Sequence, residues 1–225
     1  MIQQHSVVEQ RMRGAGAPVH LAGSLVGHKG HICAFFSSAD DEYRTLLPFI
    51  KDGLDGGEAA FHTVDPARAD DHVDRHRAAG IDVDSYRQNG QFELRTWNEV
   101  HLMGGKFDPE ATSNVFGRAR SEAIERGFAR TRFVSHMAWS AQRLSDVELL
   151  MYEAQANHEC RDGLVSVCVY DLALFRADLV IDVMRTHSLV LVSGTLYENP
   201  FYVSPDELLR ELRSRPQSRN LSPTP

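Results

Sequence analysis

The sequence predicts an α/β protein with a mostly parallel sheet, helices on both faces and an antiparallel edge at its C-terminus. Three observations carry that prediction. Strand-like runs alternate with helical segments along most of the chain, the pattern that builds a parallel sheet covered on both sides. Leu164–Tyr170 (LVSVCVY) is apolar enough for a buried strand. The segment His28–Leu54 reads as strand, turn and helix, because a short apolar run is followed by Asp40-Asp41 and then by Tyr43, Leu46, Leu47, Ile50 and Leu54 at helical spacing.

The remaining elements follow in order. Residues 1–27 are polar and Gly/Ala-rich and are expected as an arm or short edge element. Glu58–Val64 is a second strand, broken by Asp65-Pro66, and 67–79 is a charged surface helix ending at Gly80. Phe92–Trp97 alternates like a strand, and His101–Pro109 is a glycine-containing loop. A helix over 110–126 stops at Gly127, and Arg132–Trp139 is the next strand. Helices over 146–160 and 172–185 flank the buried run at Leu164–Tyr170. The closing pair, Leu189–Val192 and Leu196-Tyr197, is split by Ser193-Gly194, and a last helix spans 205–213. The tail, residues 214–225, is rich in Pro, Ser and Arg and is expected to be disordered.

Composition bounds the function. With 225 residues, 42% hydrophobic and 24% charged, the chain suits one globular domain, set at 28–213. A net charge of −7 with no basic stretch argues against nucleic-acid binding. No apolar run approaches the ~20 residues of a membrane span, and no signal peptide is visible, so a cytoplasmic protein is expected. The three cysteines, Cys33, Cys160 and Cys168, have no CxxC spacing and read as reduced thiols. The turn after the first strand, Ser37-Ser38-Ala39-Asp40-Asp41, lacks the glycines and Lys that cradle phosphates, and its two carboxylates would repel a polyphosphate.

The segments HICAFFSSADDEYRTLLPFIKDGL, GGKFDP, LLMYEAQAN and VSVCVYDLALF and the ending THSLVLVSGTLYENPFYVSP resemble the MEDS family of methanogen and methylotroph sensory domains. The resemblance runs from about His28 to Leu209 and implies a RecA/KaiC-type fold that has lost its phosphate loop. It also implies a small-molecule sensor for a hydrocarbon-derived ligand, reporting to a separate signalling protein, and it does not imply catalysis. A homodimer is a further partner expectation. The matching positions are His31, Cys33, Glu153, Cys168, Tyr170, Asp171, His187, Tyr197, Glu198, Asn199 and Tyr202.

The expected ligand site lies at the carboxyl ends of the strands, where open α/β sheets place their ligands. It comprises His31, Cys33, Glu153, Cys168, His187, Glu198 and Tyr202, with His62 and Trp139 beside them and Phe35 and Tyr197 as apolar walls. Each has a plainer reading: mid-strand cysteines as core hydrophobes, Glu153 as half of an ion pair, and Tyr197–Pro200 as an edge turn. Departures from the family pattern are histidines. His62, His101 and His136, joined by His31 and Cys33, would form a transition-metal or haem site, the basis of an alternative reading as a metal- or haem-dependent enzyme. His72 and His76, four apart on a charged helix, are expected to be solvated. Cys33 paired with His31 on one strand face is the weaker candidate for a nucleophile.

Overall fold

A computed structural model describes residues 18–27, 30–160 and 164–214. The strands are β1 (Val19–Leu21), β2 (Ser24–Val26), β3 (His31–Phe36), β4 (Ala59–Val64), β5 (Phe92–Thr96), β6 (Thr131–His136), β7 (Val165–Asp171), β8 (Leu189–Val192) and β9 (Thr195–Glu198). The helices are α1 (Ala39–Asp55), α2 (Ala69–Ala78), α3 (Val83–Gln88), α4 (Trp97–Val100), α5 (Pro109–Glu125), α6 (Ser140–Arg143), α7 (Asp146–Glu159), α8 (Ala177–Met184) and α9 (Pro205–Ser214).

Seven strands form the main sheet in the order β5-β4-β6-β7-β3-β8-β9. Every pairing is parallel except β8 with β9, so the antiparallel edge is where the sequence places it. Because strand side chains alternate, each central strand serves two cores. Ile32, Ala34 and Phe36 of β3, with Val165, Val167 and Val169 of β7, pack toward Leu46, Phe49 and Ile50 of α1. On the opposite face Cys33, Phe35, Cys168 and Tyr170 pack with Leu149 and Leu150 of α7 and Leu179 and Val183 of α8. Burying one such large apolar side chain stabilises the fold by about 1.5–3 kcal/mol, which makes both faces necessary.

The glycine-poor turn still starts a helix well. Ser38 caps α1 by accepting from the amide of Asp41 at 3.2 Å, and Asp40, Asp41 and Glu42 fill its first turn, where carboxylates complement the helix dipole. The turn therefore works as an N-cap without phosphate-binding chemistry.

Several boundaries differ from expectation for local reasons. Residues 19–26 form a hairpin outside the main sheet, closed by Ala22 and Gly23 at positive φ, and its Val19, Leu21 and Val26 enter the α1-side core. Strand β6 stops at His136, since Ser140 bonds back to the carbonyl of Met137 and turns the chain into α6. Helix α8 begins at Ala177 because the Asp171 carboxylate first accepts from the amide of Ala173 at 2.9 Å and forms a turn. Helix α3, which the sequence pattern does not predict, is nucleated by Asp82, whose carboxylate accepts from the amide of Ser85. Residues 1–17 and 215–225, and with them most of the expected arm and tail, lie outside the described residues.

Candidate functional site

Glu153 is the centre of the site. Helix α7 opens with a capping box in which the Ser145 hydroxyl accepts from the Glu148 amide and the Glu148 carboxylate accepts from the Ser145 amide. That start sets the register, so that Leu149, Leu150, Glu153 and Ala154 share the buried stripe. Glu153 thus enters the apolar face as a fully buried acid. Tyr170 of β7 donates its phenol to one carboxylate oxygen, Oε1. The other oxygen lies 3.3 Å from His31 Nε2 and 3.4 Å from His187 Nε2. Cys168 Sγ sits 3.4 Å from His31 Nε2 and 3.7 Å from the same Glu153 oxygen.

The elements holding these groups explain their convergence. His31 opens β3, Cys168 is central in the neighbouring β7, and His187 ends the turn between α8 and β8, the strand on the other side of β3. The two imidazole rings lie 4.1 Å apart. His187 Nδ1 lies 3.1 Å from the Val183 carbonyl, which can only accept, and 2.6 Å from the Thr186 hydroxyl, which can donate or accept. Asn199 clamps the same turn by donating Nδ2 to the carbonyls of Met184 and His187. Within the Tyr197-Glu198-Asn199-Pro200 motif it is thus the Asn199 amide that positions His187.

Charge at this centre is strongly coupled. Burial pushes the Glu153 carboxyl up, but His187 and then His31 more than reverse that, holding it well below the usual carboxylate range. Burial and then the Glu153 charge push the Cys168 and Cys33 thiols well up, which disfavours a free thiolate. Cys33 is further committed to the backbone, its Sγ donating to the Leu189 carbonyl.

Beside this centre is a cavity of about 80 Å³ between β6, β7, α5 and α7. Phe116, Phe133, Met137, Tyr152 and Ala156 give it apolar walls, and His31, Glu153 and Cys168 supply its polar part. It lies on the face of the sheet, toward the start of β3 and β7. The expected crevice beyond the carboxyl ends is a different cavity of about 150 Å³, lined by Glu42, Asp65, Arg68, His136 and Asp171. Its three carboxylates stand with Arg68 and His136, both of which contact Glu42.

The sequence-derived set is therefore split. His31, Glu153, Cys168 and His187 meet, and Cys33 and Phe35 lie on the same face. Trp139 is on that face too, stacked on His101 with ring centroids 4.6 Å apart. Tyr197 and Glu198 are exposed on edge strand β9, and Tyr202 follows the edge turn, so none of them walls the cavity.

The five expected metal ligands do not converge. His62 and His136 project to the α1–α2 face, the face of Val134 and Ala60, whereas His31, Cys33 and His101 lie across the sheet. His72 and His76 correct the solvated reading, being 1% and 0% exposed. His72 Nε2 bonds His62 Nδ1 at 3.0 Å, and His72 Nδ1 bonds the Tyr43 hydroxyl at 2.8 Å. His76 Nδ1 donates to the His72 carbonyl. His136 instead spans the Thr63 carbonyl and Glu42, at 3.0 and 2.6 Å. The stripe His72, Val73, His76 was the signal for burial, obscured by five charged neighbours in 70–77.

Strand order, helices on both faces and an acidic turn after the first strand of the main sheet define a RecA/KaiC-like α/β fold. In fold the chain is similar to a crystal structure of a KaiC-like protein from the hyperthermophilic archaeon Pyrococcus horikoshii OT3, with a TM-score of 0.55, 17% identity and 78% of each chain covered. The chain belongs to the MEDS family, the MEthanogen/methylotroph, DcmR Sensory domain, whose model matches residues 30–188. It is 24% identical over 178 residues to the transcriptional repressor DcmR of Methylorubrum extorquens. That match covers 76% of this chain and 63% of the repressor, so the chain spans less than two thirds of its relative. The family is one of sensory domains. Among the described residues no helix is long and apolar enough to cross a membrane.

Proposed function

We propose that the chain senses a small, hydrocarbon-derived molecule that enters the cavity between β6, β7, α5 and α7. The observation that carries this reading is an apolar cavity with buried ionisable groups on one side, the form of a small-ligand site. Its volume indicates how much of a ligand it can enclose. A cavity of ~150 Å³ takes up benzene, so about 80 Å³ suits roughly three heavy atoms. The carbon portion would lie against Phe116, Phe133 and Met137, with His31 or Glu153 meeting a polar end. A porphyrin is far too large, and the high thiol pKa values give no support to a cysteine nucleophile. The signal would pass to a separate signalling protein or a second copy of the chain, since α5 and α7 both border the cavity and reach the surface.

The test is a thermal-shift panel of one- to four-carbon alcohols, thiols and haloalkanes on the wild type and on Ala156→Phe, which fills the cavity. The expected result is a saturable stabilisation by at least one compound, absent in Ala156→Phe while that variant keeps its helical spectrum. A panel without effect, or one acting equally on both proteins, contradicts the reading.

A further inference from the structure

The geometry points to a binding site for a divalent transition-metal ion of the zinc class, formed by His31 Nε2, Glu153 Oε2, Cys168 Sγ and His187 Nε2. These four atoms all lie within 4.8 Å of one another. Zinc bound tetrahedrally at ~2.0–2.3 Å holds adjacent ligand atoms roughly 3.3–3.7 Å apart. Four of the separations here are 3.3, 3.4, 3.4 and 3.7 Å. They match four of the six edges of a tetrahedron of metal-binding size, and the other two lie within 4.8 Å.

Hydrogen bonding supports a cation there. In the neutral tautomer that donates through Nδ1 to the Val183 carbonyl, the Nε2 lone pair of His187 faces the Glu153 carboxylate. That nitrogen is buried and has no hydrogen-bond partner. A carboxylate oxygen and an imidazole nitrogen at 3.4 Å in a dry core need a proton or a metal ion between them. Two of the ligands have outer partners of the expected form, the second nitrogen of His187 at a carbonyl and the second oxygen of Glu153 at the Tyr170 phenol, whereas His31 Nδ1 is buried without one. One thiolate, one carboxylate and a divalent ion sum to zero, which suits a site where all four residues are buried.

The second histidine cluster lacks these features. Both nitrogens of His72 are engaged, by His62 and Tyr43, and no carboxylate or thiol belongs to the group of His62, His72 and His76. The proposal also stands apart from sensing: a metal-loaded protein that ignores the organic panel would sink the sensing reading alone.

The experiment uses the full chain without a metal-binding tag. Elemental analysis should find about one zinc-class ion per chain after dialysis. Chelator-stripped protein titrated with Co(II) should develop tetrahedral visible bands together with a thiolate-to-metal charge-transfer band. Cys168→Ser should lose the charge-transfer band, and His187→Ala should weaken binding by more than ~10-fold. His76→Ala should leave both readouts unchanged. X-ray absorption of the zinc-loaded wild type needs no variant and should report one sulfur with nitrogen and oxygen ligands. A wild type that takes up neither metal, a Co(II) spectrum unchanged by Cys168→Ser, or a sulfur-free zinc shell would overturn the proposal.

Discussion

Each face of the sheet buries a group of histidines, and the two groups differ in their partners. On the α1–α2 side, His62 and His72 bond to each other, His72 also to a phenol, and His76 to a carbonyl, with burial holding all three neutral. On the α7–α8 side, two imidazoles converge on a carboxylate and a thiol, beside an apolar cavity. The number of histidines is similar, but the capacity for chemistry is not. Lone pairs aimed at a common point and a compensating negative charge make a site, whereas mutually bonded imidazoles make a polar core.

The strongest way to break that distinction is to remove the charge. Glu153→Ala leaves His31, His187 and Tyr170 without their common partner and should lower unfolding stability in urea by about 3–5 kcal/mol. An effect below ~1 kcal/mol would mean that the acid does not organise this face.

The α1–α2 group is tested by acid. Burial comes first among the causes that push His62 and His72 well below the ordinary histidine range, and it brings His76 down to about 4. A histidine depressed in the folded state binds fewer protons there than in the unfolded chain. Its contribution is complete above the unfolded value of ~6.5 and is lost as pH falls, at ~1.4 kcal/mol per pH unit for each group. For His76 this loss continues to about pH 4. Urea denaturation at intervals over that window should show falling stability, and His76→Leu should remove one histidine's share of the slope. An unchanged slope would show that His76 titrates normally. His101 and His187 across the sheet are also depressed by burial, so only the difference between the two proteins measures His76.

Asn199 ties the edge turn to the α7–α8 site. Asn199→Ala removes donors from two carbonyls, one belonging to His187, and should cost about 1–3 kcal/mol. It should also move the His187 imidazole resonances. A shift confined to the edge turn would make the amide a local fastener only. Tyr197 is 51% exposed on β9, and Tyr197→Ser should change stability by less than ~0.5 kcal/mol. A larger loss would return Tyr197 to the ligand site from which its position removes it.

The contrast between the faces also marks what the sequence could and could not reveal. Apolar runs such as LVSVCVY and the helical spacing after Asp41 report local structure, so strand and helix order were readable. His31, Glu153, Cys168 and His187 were readable as a group because their motifs resemble one family. Face assignment was not. His31 and Cys33 share a face by alternation, but whether His62 joins them depends on the register between β4, β6 and β7, where one step exchanges the faces. The sequence also could not place the cavity, because Phe116, Phe133 and Ala156 lie far apart along the chain and become neighbours only when α5 and α7 pack on the sheet.

The difference between the faces is tested most directly by an imidazole nitrogen spectrum recorded while the best stabiliser from the organic panel is titrated in. Selective shifts at His31 and His187, with His62, His72 and His136 unmoved, are the predicted result. Shifts at His136 and His62 with His31 and His187 unchanged would place ligand chemistry on the other face and contradict it.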